Sequence, residues 1–175
     1  MVSNRLYYLV FAGLMLALGG CAQEGGDSGT ASTIPSPTSN RLQMDENQNY
    51  ADLGDYVISV NALTTDELAP EVARTYNIPR SASRAMLNVV LLKKDPDSAL
   101  ATGIPVTGEV NSVTRNLTGQ LKDMPLREVN EQDAVYYIGQ VPVINGETLV
   151  FEIDARPTGS SETLRVQYQH RFFTE

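Results

Sequence analysis

Twice near the C-terminus the chain alternates apolar and polar residues without a break. Leu149, Phe151, Ile153 and Ala155 interleave with Val150, Glu152, Asp154 and Arg156; Leu164, Val166, Tyr168, His170 and Phe172 interleave with Arg165, Gln167, Gln169, Arg171 and Phe173. Successive side chains of a strand point to opposite faces, so a period of two predicts strands with one face in a core and one in water. Tyr56, Ile58, Val60 and Ala62 repeat the pattern against Val57, Ser59 and Asn61. Met86 to Leu92 is almost continuously apolar instead, which predicts a strand covered on both faces. Ala134 to Val143 is a further strand, with Pro142 at its end or on an edge. Val106 to Val113 and a shorter Leu126 to Val129 lie between turn signals such as Asn145-Gly146. About seven strands are thus expected within residues 51–175, which fits an all-β, immunoglobulin-like two-sheet sandwich.

One short helix interrupts the pattern, between the first of these strands and the second. Thr64 and Glu67 have the spacing of a capping box, but a helix begun there would hold Pro70 in its interior, where it has no N–H to give and clashes with the turn before it. A helix of about two turns starting at Pro70 and stopped by Pro79 avoids that conflict.

The N-terminus carries the most specific chemistry. Met1 to Gly20 has a short basic start with Arg5, an apolar run from about Tyr7 to Leu18, and small residues after it. The run is too short for a membrane span, which takes about 20 apolar residues. It leads into Leu18-Gly19-Gly20-Cys21, and Cys21 is the only cysteine. That arrangement resembles a bacterial lipobox. The resemblance implies cleavage between Gly20 and Cys21, a diacylglyceryl group on the Cys21 thiol and acylation of the new amino terminus. Two or three acyl chains hold a protein durably on a bilayer, where one does so marginally. Ala22 and Gln23 lack the Asp that resembles an inner-membrane retention signal, so the periplasmic leaflet of the outer membrane is the expected address. With a single cysteine, no intramolecular disulfide forms.

From Ala22 to about Asn49 there are almost no large apolar residues among the small, polar and charged ones, and the stretch buries too little to offset the entropy of ordering. The expected organisation is a signal peptide over 1–20, a lipidated cysteine and polar tether over 21–50, and one domain over 51–175. A flexible coil of the tether's length spans about 30 Å. The chain of 175 residues carries a formal charge of −8, and loss of the leader with Arg5 leaves it more negative still. Such a balance repels nucleic acid and anionic lipid surfaces, and the densest basic pair, Lys93-Lys94, is followed closely by Asp95 and Asp97.

Candidates for chemistry are few. Gly26-Asp27-Ser28-Gly29 resembles the surroundings of a serine-protease nucleophile, but it lies in the tether, away from any rigid base and acid. His170 is the only histidine; a base or metal ligand is one reading, and a locally bonded side chain of the sandwich is the other. Asp95 with Asp97, and Glu128 with Glu131 and Asp133, are carboxylates in turn-like settings that match no spaced calcium loop. Tyr136-Tyr137 and Phe172-Phe173 each put one ring on either face of a strand, for core filling on one side and possible stacking or partner contact on the other. Glu128, Asp133, Tyr137, His170 and Phe173 make up the candidate surface patch. No catalytic set, metal or cofactor is expected.

Three separated stretches, in order, resemble one family. They are Leu68-Ala69-Pro70-Glu71-Val72-Ala73 continuing to Tyr76, with Arg80-Ser81 leading into Leu87-Asn88-Val89; Arg127-Glu128-Val129 with Ala134-Val135-Tyr136-Tyr137-Ile138; and Gln169-His170-Arg171-Phe172-Phe173. Together they are similar to the bacterial family DUF4426, over about Tyr50 to Glu175. The resemblance implies a small exported protein without an assigned activity and supplies no catalytic residues. Many members have a plain export signal, so the lipobox and long tether are a departure. The expected function is a non-enzymatic binding or interaction module of the cell envelope, attached to the bilayer through Cys21 and meeting an envelope protein. A sandwich that binds a small molecule or glycan is the alternative, and an enzyme working with carboxylates alone ranks behind both.

Overall fold

The computed structural model describes residues 41–95, 103–131 and 134–174. Among them are eleven strands in two sheets: β1 Leu42–Met44, β2 Tyr50–Leu53, β3 Tyr56–Thr64, β4 Arg84–Lys93, β5 Ile104–Pro105, β6 Gly108–Asn116, β7 Leu121–Lys122, β8 Arg127–Glu131, β9 Ala134–Pro142, β10 Thr148–Pro157 and β11 Leu164–Arg171. The first sheet runs β1-β11-β10-β6-β7, the second β2-β3-β4-β9-β8 with β5 beside β4. Every pairing is antiparallel except that of β1 with β11. The seven strands of five or more residues are those the periodicity predicts; β1, β2, β5 and β7 raise the count from seven to eleven.

Alternation decides what each strand contributes to the core. Leu149, Phe151, Ile153 and Ala155 of β10 are wholly buried, and Val166, Tyr168 and Phe172 come up beside them from β11 and its continuation. Leu87, Val89 and Leu91 of β4 and Ile58 and Val60 of β3 join the same core from the second sheet. Each of the Val, Leu, Ile and Phe side chains withdrawn from water contributes about 1.5–3 kcal/mol. Phe151 lies 6.1 Å from Tyr168, stacked, and 6.5 Å from Phe172, edge to face.

Met86 and Ile138 face the other way, where Ile78, Leu63, Leu68 and Tyr76 cover them. This second cluster explains the unbroken apolar run in β4: the strand is buried on both sides. Its cover is the segment around α1, Pro70–Thr75. Both N-terminal signals are used here. The Glu67 carboxylate accepts from the Thr64 N–H at 3.0 Å and the Thr64 hydroxyl at 2.7 Å, closing a 3-10 turn over Thr65–Glu67, and Pro70 then opens α1. The helix ends where Asn77 takes φ 52°, a left-handed conformation that Asn tolerates, as the Ile78 N–H turns back to the Ala73 carbonyl at 2.8 Å. No helix of the described residues is long and apolar enough to cross a membrane.

The ordered fold begins before residue 51. β1 lies in the stretch that composition assigns to the tether; Met44 is 4% exposed, and Arg41 donates to both oxygens of Asp154 at 2.5 and 3.2 Å.

Candidate functional site

Register places one row of residues across the first sheet at one end of the sandwich: Asn116 of β6, Leu149 of β10 and His170 of β11. Two turns and the C-terminal segment meet there. Between β9 and β10 the chain reverses through Ile144 to Glu147, closed by the Glu147 N–H to the Ile144 carbonyl at 3.1 Å, with Gly146 at φ 73° where the turn needs a left-handed residue. Between β6 and β7 the Asn116 side-chain oxygen accepts from the Thr118 N–H, the Thr118 hydroxyl and the Gln120 N–H, at 3.1, 2.7 and 2.9 Å. Both turns are therefore held by their own hydrogen bonds.

Glu147 ties this end together. Its carboxylate meets Lys122 Nζ at 2.7 Å and accepts from the Ile144 N–H at 3.1 Å, while its carbonyl accepts from the Phe172 N–H at 2.8 Å. Lys122 Nζ also donates to the Pro142 carbonyl at 2.8 Å. Thr174 bonds the Asn145 side chain through its N–H, at 3.1 Å.

Carried on this polar frame are large apolar side chains facing outward: Leu117, Leu121, Ile144 and Phe173 are 67%, 70%, 71% and 61% exposed. The Arg171 guanidinium sits 5.1 Å from the centre of the Phe173 ring. His170 is half-buried behind them, 6.1 Å from Tyr168 in a stacked arrangement and 4.7 Å from Phe172 edge-on. Burial holds its pKa below the ordinary value, against the opposing pull of Glu46 and Glu67. Its Nδ1 is 3.2 Å from the Tyr168 hydroxyl. Burial, with Glu46 and Asp45 adding to it, pushes the Tyr168 pKa up to about 12, so that hydroxyl keeps its proton, and the imidazole tautomer sets which of the two groups donates across the contact.

The patch drawn from sequence does not assemble. His170 and Phe173 belong to this end, but Tyr137 is a core residue, 3% exposed. Its hydroxyl accepts from the Gly108 N–H at 2.7 Å and donates to the Gly108 carbonyl at 2.9 Å. Gly108 pairs with Pro157, eight residues along β10 from Leu149, or about 27 Å at the usual rise of a strand. Glu128 is exposed on β8 opposite Tyr137, and with burial it raises the Tyr137 pKa, while the Gly108 backbone bond works against them. Asp133 lies outside the described residues, as do Gly20 and Cys21. Nor do the aromatic pairs give an exposed sheet face, since Phe172 is in the core and Tyr136 packs in the second cluster. Among the described residues no three or more His, Cys, Asp and Glu side chains gather as a metal site would. Leu117, Leu121 and Ile144 escape a reading based on strand period, because they stand in or beside turns; a large apolar residue next to Asn-Gly or Asn-x-x-Gly was the available signal.

What this end offers is apolar surface on rigid tips with a cation beside it, suited to burial against another molecule. Two shallow grooves lie elsewhere, one along Pro70, Arg74 and Arg80, the other along Arg41, Leu53 and Leu164.

Residues 50–175 match the family described as a domain of unknown function, DUF4426. The crystal structure of a DUF4426 family protein from Pseudomonas aeruginosa PAO1 is similar over 72% of this chain and 94% of its own, at 28% identity and a TM-score of 0.60. FetP from uropathogenic E. coli strain F11 covers 71% of this chain and 92% of its own at 10% identity, with a TM-score of 0.48. A copper-bound variant of that FetP gives 70%, 93%, 13% and 0.46. No curated protein matches the sequence.

Proposed function

The chain belongs to the DUF4426 family, and from that starting point we propose that it is a lipid-anchored, periplasm-facing protein of the outer membrane whose sandwich engages an envelope protein through the end bearing Ile144 and Phe173. The observation that carries the reading is the gathering of Leu117, Leu121, Ile144 and Phe173 at one end, each more than 60% exposed. Exposed apolar patches rimmed by polar residues mark interaction sites, and aromatic residues with Arg are the side chains that most often supply binding energy. Anchoring rests on Leu18-Gly19-Gly20-Cys21 and on the polar stretch after it, which would let the domain reach away from the bilayer.

Two experiments test the two halves. Labelled palmitate is expected to enter the full chain and not Cys21→Ala; incorporation into neither would remove the anchor. Cross-linking in intact envelopes is expected to trap a partner with the parent chain and to lose it with Ile144→Ser combined with Phe173→Ser. A partner retained by that variant would move the interaction to another surface.

A further inference from the structure

Strand β8 closes the second sheet, and among the described residues nothing pairs with its outer edge. Open edges invite other strands, and proteins guard them with charge. Arg127-Glu128-Val129-Asn130-Glu131 is guarded in this way against an arbitrary strand, but not against itself. We infer that β8 pairs antiparallel with β8 of a second copy of this chain, about a two-fold axis through Val129, joining the two second sheets into one.

The backbone and the charges select the same register. The β8–β9 hairpin ends on Glu131 opposite Ala134, two residues apart in sequence from closing on itself. In a hairpin with a two-residue turn the closing pair exchanges both backbone bonds. Alternation then directs the N–H and C=O groups of Arg127, Val129 and Glu131 toward β9, and those of Glu128 and Asn130 outward. A two-fold axis at Val129 sets Glu128 opposite the partner's Asn130 and Asn130 opposite the partner's Glu128. Those are the two positions with free backbone groups, so four new backbone hydrogen bonds form. Arg127 falls opposite the partner's Glu131 in a pair without backbone bonds, the kind in which facing side chains come closest. Glu128 meets a neutral amide rather than a carboxylate; within one chain Asn130 Nδ2 already donates to Glu128 Oε1 at 2.7 Å.

Neighbouring registers lose this agreement. A shift of two residues one way sets Glu128 against the partner's Glu128, and the other way sets Val129 against the partner's Glu131. The charged side chains are also held in place beforehand: Arg127 Nη2 donates to the Tyr76 carbonyl at 2.5 Å and the Tyr76 hydroxyl to Glu131 Oε1 at 3.2 Å. Both lie along the outer face of β8 and leave its edge open. An interface of this size is weak in solution, and confinement to a bilayer would raise its effective concentration.

The test uses the full-length chain in membranes, with Val129→Cys placing a thiol at the two-fold axis and the parent, whose sole cysteine is Cys21, setting the background. Mild oxidation is expected to give disulfide-linked dimer above that background. Adding Arg127→Glu, or Glu131→Arg, faces like charges across both symmetric pairs and is expected to cut the yield about tenfold. Adding both is expected to restore it to within about threefold. The double reversal separates pairing from a merely structural effect, because a Glu at position 127 cannot donate to the Tyr76 carbonyl whatever stands at 131. Dimer no higher than the parent's background, a yield indifferent to Arg127→Glu, or a double reversal with an unchanged circular dichroism spectrum that stays low would each overturn the inference.

Discussion

Among the described residues no strand flanks β6 on its outer side at Gly108, and the Tyr137 hydroxyl bonds the backbone there instead. Gly108 begins β6 on the side of the first sheet that β7 reaches only near Thr114 and Arg115, and that single oxygen satisfies both the N–H and the C=O of Gly108. Tyr137→Phe keeps the ring in the core and removes both bonds, so a loss of about 1–3 kcal/mol is expected, with little change in the spectrum of the folded state. Equal urea midpoints for the two proteins would show that water takes over the hydroxyl's role. His170 provides a second residue-scale outcome. Its pKa is lowered in the folded state by burial, so between the unfolded and folded pKa values the unfolded chain binds more protons. Stability from the neutral ring is therefore fully present above the ordinary histidine pKa of about 6.5 and is lost as the pH falls from there through the folded value. Protonation makes Nδ1 a donor, and the Tyr168 hydroxyl facing it then serves as the acceptor. His170→Gln is expected to flatten the decline in urea midpoint between pH 7.5 and 5; a decline as steep as the parent's would assign it to carboxylates.

Elements were legible to the extent that their cause is periodic. β3, β10 and β11 show a period of two because one face of each meets the core, and β4 lacks it because α1 and its flanks cover the second face. The short strands have no pattern to read: β5 is Ile104-Pro105 and β7 is Leu121-Lys122, each made a strand by the neighbour it pairs with. In the same way, the Thr64–Glu67 box and Pro70 look like rival helix starts in one dimension and turn out to begin two different elements. Close approach between elements is hidden in sequence as well, and two glycines separate its kinds. A Cβ at Gly108 would stand 2.5 Å from the Arg156 carbonyl oxygen and 3.0 Å from Pro157 Cα, so β6 and β10 would have to part. A Cβ at Gly139 would stand 2.8 Å from Met124 Cγ and from Leu126 Cδ2, the flexible parts of side chains that can yield. Gly108→Ala is expected to cost about 1–3 kcal/mol and Gly139→Ala less than about 1 kcal/mol. Thermal unfolding of the pair checks the ranking, and a reversed order would place the tighter seam under β9.

At the scale of the whole molecule, strand character was readable but strand adjacency was not. Closeness in sequence puts His170 and Phe173 near each other on β11 and its extension, and the β8–β9 hairpin puts Glu128 beside Tyr137, yet only the order of strands in each sheet reveals that the two pairs lie far apart. The first strand illustrates the same limit. Leu42 to Met44 contributes little apolar surface and sits in a polar stretch, so composition assigns it to the tether; its partner, Val166 to Tyr168, is 124 residues away. The family match starts at residue 50, beyond this strand. A chain beginning at residue 50 would therefore hold all of the matched domain and still lack Met44 in the core, the Arg41–Asp154 pair and the cover on the outer edge of β11. Burial of Met44 contributes about 1.5–3 kcal/mol, an upper figure because unfolded chains already hide some apolar surface. The ion pair, partly open to solvent on the Asp154 side, adds at most about 1 kcal/mol. A fragment starting at residue 50 is thus expected to be about 1.5–4 kcal/mol less stable than one starting at residue 41, as measured by urea unfolding under identical conditions. Substituting Met44→Ala in the longer fragment should reproduce most of that loss, because the methionine carries the larger share. If the two fragments unfold together, β1 is an ornament on β11 and the tether extends to the family boundary.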